Sequence, residues 1–481
     1  MSNDVVTDSG KLPEYWGNLL ATSGVVLVLV LTLFPYDFFF QEILSQFSFS
    51  YLRSRIQRPN DLDDLIANIL LFIPVGLGIA CYTQKLKLKA QTAFLLVLVS
   101  SFSLSLIVEV LQIFLPNRNP SYVDLIVNSA GGLVGFFCFE IFGIFLLRCL
   151  TTLVTIVKAR LSTKILLLAI VVYVSLASLL SLKLQGKVEL GNLSNWDSSY
   201  PLFLGNEATG ERPWQGQIFD LCFSDRAASK KEITQILADK KSCQTTINSL
   251  IAAYVLTNQG DYQNFGENAS DLLWQKENNN QQETSKTLIG SQWLKTKNAA
   301  TLINEKIRDR SQFTLVTTLA TDKLNQTGPA RIISLSADPF HRNLTVGQWH
   351  NHLSLRLRTL LTKQNGTRPE LAVANFFTDK KKHRLVIVYD SSLLSIYLDH
   401  WLHHYTLEIS PETALFWSLS PRFSSTIHVN KFNNQFYQFL YYELILIPLA
   451  ILVGLVLRNY SQTKFLAYLT IAVGMILTAI Y

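Results

Sequence analysis

Three polar pairs stand in three hydrophobic stretches of this chain, at spacings that point to a shared site. Asp64 and Asn68 open one stretch, Glu109 and Gln112 close the next, and Asp124 and Asn128 open the one after. Separations of three and four residues keep each pair on one helix face. Carboxylates in lipid-spanning helices are costly and usually mark a site. At a rise of ~1.5 Å per residue, Asn68 and Asn128 sit about 6 Å inside their helix ends. Arg118 lies in the tight connection from Leu115 to Tyr122. Its guanidinium presents five donors in a fixed fork suited to carboxylate or phosphate. Two kinds of chemistry follow. The cluster could bind a polar head group, or Glu109 or Asp64 could act as a base on a lipid head group while Arg118 holds its phosphate. A structural reading stands beside them. Asp64 and Asp124 at helix starts complement the helix dipole, whereas Glu109, near a C-terminal end, resists that explanation.

The elements that position these residues are membrane spans. About half of the 481 residues are hydrophobic, too many for one soluble domain of this length. Apolar runs fall at 16–36, 64–83, 91–113, 123–147, 165–184, 436–457 and 464–481. Each approaches the ~20 residues that a span needs, so seven spans are expected, the last barely long enough. The first run lacks a small-residue cleavage site and reads as an uncleaved anchor. Short-loop cations set the orientation. Lys11, Lys85, Lys87, Lys89, Arg148, Lys158, Arg160, Lys164, Arg458 and Lys464 fall on one side, and Arg53, Arg55, Arg58 and Arg118 on the other. The positive-inside rule then puts the N-terminus in the cytoplasm, and the polar pairs and residues 185–435 outside. Topology accounts for most of the net charge of +7, and no nucleic-acid motif accompanies it. Segment 149–164 could be an amphipathic helix on the cytoplasmic leaflet or a plain connector.

The membrane residues resemble a known family. The pattern Asp64-x3-Asn68-x3-Phe72-x-Pro74-x-Gly76, then Glu109-x2-Gln112, then Arg118-x5-Asp124-x3-Asn128-x2-Gly131 is similar to that of VanZ-like membrane proteins. The resemblance covers residues 16–147, about a quarter of the chain. It implies a cell-envelope role, since the family's named member is linked to lowered susceptibility to teicoplanin; it supplies no reaction. Gly131, Gly132 and Gly135 form a small-residue pattern that lets helices approach closely. Pro74 should bend or loosen its span.

Residues 187–430 read as strands. Leu353, Leu355 and Leu357 alternate with Ser354, Arg356 and Arg358, as in a half-buried strand, and Leu394, Ile396 and Leu398 repeat the period. His383 to Tyr389 is apolar enough for a central strand. Many short strands separated by turns suggest an all-β sandwich. Ala330–Ser336, Asn343–Gln348 and the Arg356 strand resemble concanavalin A-like, laminin-G-like domains. So do Leu204–Glu207, Trp214–Ile218 and a helix near Lys230–Asp239. In that family the Trp-x-Gly-x-Ile passage comes near the end. Its early position here implies a circularly permuted jelly roll in which 189–240 joins the sandwich of 250–430; the alternative, a fragment of one sandwich followed by a second, is less favoured because about 50 residues make a poor stand-alone sandwich.

Cofactor signals are sparse. His341, His350, His352, His383, His400, His403 and His404 show no zinc spacing on a helix. Asp197, Glu207 and Asp338 could hold a calcium ion, as in some relatives of the sandwich. Cys81, Cys138 and Cys149 belong to the membrane part, while Cys222 and Cys243 lie where a disulfide is permitted. Gln275–Ser285, rich in Asn, Gln and Glu, reads as a solvated loop. No Walker motif, Gly-rich nucleotide loop or nucleophile elbow appears.

These observations imply a bacterial-type inner-membrane protein. A VanZ-like transmembrane domain occupies 1–165, a fifth transmembrane helix 165–184, the sandwich 187–430 and a C-terminal helix pair 436–481. The expected partners are membrane lipids and an envelope glycan or lipid-linked glycan, with no nucleic acid. An enzyme acting on a lipid head group and an adhesion or scaffold protein are the rival readings.

Overall fold

A computed structural model describes residues 12–34, 36, 38–45, 62–115, 118, 120–160, 162–185, 191–238, 249–256, 262, 264–266, 269–276, 292–419, 426–430 and 434–457. The chain divides into two compact units, residues 1–169 and 170–481.

The first unit is helical. It contains α1 (Leu12–Thr32), α2 (Phe40–Ser45), α3 (Leu62–Lys85), α4 (Ala90–Ile113) and α5 (Tyr122–Arg160), and α6 (Thr163–Gln185) begins within it. Among the described residues, four helices are long and apolar enough to cross a membrane: 65–85, 90–113, 122–143 and 434–456. Shorter apolar stretches occupy 16–32 and 163–179, and the seventh expected run, 464–481, lies outside the described residues. Helix α5 continues unbroken to Arg160, so segment 149–164 is mostly an extension of that helix and not a separate element.

Pro74 stands inside α3, which runs on through it. The seams between helices are made of glycine. A Cβ on Gly76 would fall 1.9 Å from the Gly132 carbonyl oxygen, and one on Gly135 would fall 2.3 Å from that of Ile73. These positions bring the α3 and α5 backbones into contact. A Cβ on Gly78 would likewise fall 2.3 Å from the Ala21 nitrogen, so α1 packs on α3 in the same manner. Val28, Phe72, Val75 and Val108 form one buried cluster. Ala80, Cys81, Ala93, Val97, Phe136 and Phe139 form another. Cys81, Cys138 and Cys149 are not disulfide-bonded.

The second unit holds fourteen described strands: β1 (Leu202–Leu204), β2 (Gly216–Ser224), β3 (Leu250–Val255), β4 (Leu272–Lys276), β5 (Gln292–Thr296), β6 (Gln312–Thr321), β7 (Gln326–Ser336), β8 (Arg342–His350), β9 (His352–Leu357), β10 (Glu370–Val373), β11 (His383–Asp390), β12 (Leu393–Leu398), β13 (His400–Glu408) and β14 (Thr426–His428). They form an eight-stranded sheet in the order β14-β10-β9-β8-β7-β1-β5-β4 and a six-stranded sheet in the order β13-β12-β11-β6-β2-β3. Pairing is antiparallel except between β10 and β14. Residues 202–224 join both sheets: β1 lies between β5 and β7, and β2 between β3 and β6. β11 is central, as its apolar run predicts.

The helices of this unit are α7 (Lys230–Ala238), α8 (Thr301–Arg310), α9 (Pro411–Leu419) and α10 (Asn434–Leu457), together with most of α6. Ile233, Ile236 and Leu237 of α7 pack on Cys222, Val316 and Val386 of the six-stranded sheet. The Tyr173 hydroxyl of α6 donates to the Ile445 carbonyl of α10 at 2.8 Å. Cys222 is disulfide-bonded; Cys243 lies outside the described residues. The expected loop at Gln275–Ser285 begins inside β4, and its remainder from 277 lies outside the described residues.

β9 departs from expectation. Leu353, Leu355 and Leu357 are buried as the alternation predicts, but so is Ser354 on the opposite face, where only 2% is exposed. Arg356 is also mostly covered, at 13% side-chain exposure. Glu370 of β10 explains how this face tolerates burial. Its carboxylate accepts hydrogen bonds from Ser354 Oγ and from Arg356 Nε.

Candidate functional site in the helical unit

One face of α4 carries the polar stripe Ser101, Ser105, Glu109 and Gln112, all buried. The Glu109 carboxylate accepts the Ser121 backbone N–H at 2.7 Å. Ser121 immediately precedes α5, and its own hydroxyl accepts the Val123 N–H at 3.2 Å. Glu109 therefore faces the positive end of the next helix, which offsets the unfavourable end of its own. Asp124, in the first turn of α5, lies within electrostatic reach of Glu109. One turn further along α5, Asn128 Nδ2 donates to Ser105 Oγ at 2.9 Å. Asn128 Oδ1 and Ser101 Oγ are buried without a hydrogen-bond partner.

The remaining donors turn toward α1. Gln112 Nε2 donates to the Thr32 carbonyl at 3.1 Å. Arg118 Nε donates to the Phe34 carbonyl at 3.2 Å, and its Nη2 to the Leu31 carbonyl at 3.4 Å. A helix leaves its last carbonyls without intrahelical partners. Gln112 and Arg118 supply donors to that end of α1, and the Arg118 charge suits the negative end of the dipole.

The structure thus joins Glu109, Ser121, Asp124, Asn128 and Ser105 between α4 and α5, and links Gln112 and Arg118 to α1. Asp64 lies in the first turn of α3, and Asn68 is half-buried one turn later. Ser105 and Ser121 are site residues that the sequence reading did not single out. Ser105 and Ser101 stand four and eight residues before Glu109, a helical repeat that a search for carboxylates and amides passes over.

In the sandwich, the three carboxylates weighed as calcium ligands do not come together. The described residues contain no group of three or more His, Cys, Asp or Glu able to hold a metal. Asp197 accepts from Ser199, Asp338 from the Phe340 and His341 N–H groups, and Glu207 is paired with Arg331 and Arg212. The expected ligands are therefore engaged at separate places. His383 is held between Asp379 at 2.9 Å and Asp399 at 2.6 Å, which raises its pKa.

A near-parallel ring stack runs across β12 and the edge strand β13. Tyr397 and His404 are 5.3 Å apart at 20°, and His404 and Trp401 are 6.0 Å apart at 10°. Lys230 Nζ of α7 lies 4.0 Å from the centroid of the Trp401 ring. Tyr397 and Trp401 pack partly on the core, whereas His404 and Leu402 are exposed.

Comparison with known proteins bears on the helical unit. Residues 18–146 match the VanZ/LLP1 family model. No curated protein matches the chain, and no solved structure does. The matched segment contains Asp64, Glu109, Arg118 and Asp124, together with the glycine seams, and the N-terminal part of this chain is a VanZ-like domain.

Proposed function

We propose that this chain is a multi-pass protein of the cell envelope whose sandwich lies outside the cytoplasm and recognises an envelope glycan or a lipid-linked glycan. The single observation that carries the reading is the Tyr397–His404–Trp401 stack. Aromatic surfaces with polar edges suit sugars, whose rings have an apolar face and hydroxyl rims. A concanavalin A-like, laminin-G-like lectin domain in permuted order is the finer form of this reading. The early Trp214 passage and the placement of β1 and β2 inside the two sheets support it.

Titration of the full chain in detergent with envelope oligosaccharides, followed by tryptophan fluorescence, tests the proposal. Saturable binding that weakens at least tenfold in His404→Ala supports it. Equal binding by the variant, or none by the parent chain, contradicts it.

A second reading, an enzyme acting on a lipid head group, is favoured by the Glu109–Asp124 pair of carboxylates inside the bundle. It requires Glu109→Gln to lose turnover while staying folded.

A further inference from the structure

Two arginines of the eight-stranded sheet are buried in an unusual way. Arg331 of β7 and Arg342 of β8 are each 0% exposed. Arg331 Nε donates to Glu207 Oε2 at 3.0 Å, but both of its terminal nitrogens lack a hydrogen-bond partner. All three guanidinium nitrogens of Arg342 lack one as well. Buried polar groups are almost always paired, and a buried charge without partners is strongly destabilising. Five donor nitrogens on two arginines that act electrostatically on each other therefore call for an acceptor that the described residues do not supply.

The surroundings indicate which acceptor. Arg331 stands opposite Gly347, Arg342 opposite Ser336 and Arg356 opposite Thr345. The Ser334 hydroxyl lies 2.8 Å from that of Ser336 and 3.2 Å from that of Thr345, which gives this face a run of neutral hydroxyl groups. Arg331, Arg356, Glu207 and Glu370 all act electrostatically on Arg342. Glu370 is bound to Arg356, and Glu207 is shared between Arg331 and Arg212. Four guanidinium groups thus face two carboxylates. Burial and mutual repulsion lower Arg331 to about 10 and Arg342 to about 9, so both remain charged at neutral pH.

We propose that Arg331 and Arg342 form an anion site that takes a phosphate group. A phosphate dianion matches the excess of two positive charges. Its tetrahedral oxygens can also accept from both guanidinium forks at once. A carboxylate carries one charge and two oxygens, and would leave one fork uncompensated. A cleft of about 510 Å3 lined by Arg212, Gln215, Lys323, Gln326 and Gly328 opens on the Arg212 side. Arg212 connects it to the site, because its guanidinium shares the Glu207 carboxylate with Arg331. The phosphate can be a free ion or the terminal phosphate of a sugar or lipid. This site is independent of the ring stack across β12 and β13 and stands whether or not that stack binds a glycan.

The test uses the full chain in detergent, freed of phosphate, with thermal unfolding of the sandwich as readout. Separate arms contain inorganic phosphate, glucose 1-phosphate, phosphatidic acid micelles, and acetate at equal ionic strength. Phosphorus released on denaturing the chain as purified is measured in parallel. A saturable rise in Tm with a phosphate compound but not with acetate is expected, roughly 5–10 °C at a hundredfold excess over Kd. The arm that gives the rise identifies the source. Arg342→Met should abolish the rise, and Arg342→Lys should retain part of it. If Arg342→Met does not fold, the parent chain decides alone. A rise with phosphate, or stoichiometric phosphorus released, supports the site. Equal Tm in every arm with no phosphorus released overturns it and leaves water as the acceptor.

Discussion

Glu109 and Ser121, twelve residues apart in sequence, are joined by a 2.7 Å hydrogen bond from the Ser121 N–H to the Glu109 carboxylate. The bond ties the C-terminal end of α4 to the N-terminal end of α5. It also gives a physical reason for a buried carboxylate at a helix end whose own dipole opposes it.

The same region couples Glu109 to Asp124. A double-mutant cycle of Glu109→Gln and Asp124→Asn, read as stability in detergent, should be non-additive by about 0.5–3 kcal/mol. The direction follows from charge: neutralising one carboxylate relieves repulsion on the other, so the second change should cost more than the first does alone. Adding Arg118→Ala to the cycle checks whether the α1 contacts belong to the same unit. Additivity within error throughout would reduce the cluster to separate helix-end contacts.

The glycine seam makes a steric prediction. Gly76→Ala would place a methyl group 1.9 Å from the Gly132 carbonyl oxygen. Helices α3 and α5 must then move apart, at a cost of about 1–3 kcal/mol or more. Gly454→Ala, with no atom within 4 Å of the new Cβ, is the silent control. A thermal shift assay in detergent separates the two, and equal melting temperatures would mean that the seam does not limit packing.

His352 makes the sandwich sensitive to acid. Burial, together with nearby His428 and His350, pushes its pKa down to about 4. Its Nδ1 also accepts the Asn375 N–H at 3.2 Å, which only the unprotonated ring can do. An unfolded histidine titrates near ~6.5. Between those values the unfolded chain binds a proton that the folded chain refuses, so this contribution to stability falls as pH drops from about 6.5 to about 4. His383, raised by Asp399 and Asp379, contributes with the opposite sign. His352→Gln should flatten the acid limb of the stability profile. An unchanged slope would remove His352 as its source.

The proposed orientation rests on the cation bias of the short loops. A cysteine placed at Asn280 should react with a membrane-impermeant probe in intact cells. Labelling only after lysis would put the sandwich in the cytoplasm and end the envelope-glycan proposal.

The sequence made several of these features legible for identifiable reasons. The VanZ-like segment is readable because Asp64, Glu109 and Asp124 contrast sharply with their apolar surroundings. Central strand β11 is readable because an uninterrupted apolar run suits a strand buried on both faces. The polar face of β9 is not: Ser354 and Arg356 look like solvent-facing residues until Glu370, a partner on another strand, covers them. Arg331 and Arg342 escape notice for the same reason, since an arginine's burial depends on the fold around it. That Asp197, Glu207 and Asp338 stand apart is not legible either, because three carboxylates scattered along a chain carry no information about whether they meet. Helix α5 extends beyond the expected span because apolar and basic residues continue a helical pattern past the membrane length.

The most direct test of the proposed function is native mass spectrometry of the full chain extracted from its own membrane in mild detergent. The proposal predicts a co-purifying envelope glycan or lipid-linked glycan that is depleted in His404→Ala. Bound species without any sugar, or a glycan retained equally by His404→Ala, would contradict glycan recognition by the stack across β12 and β13.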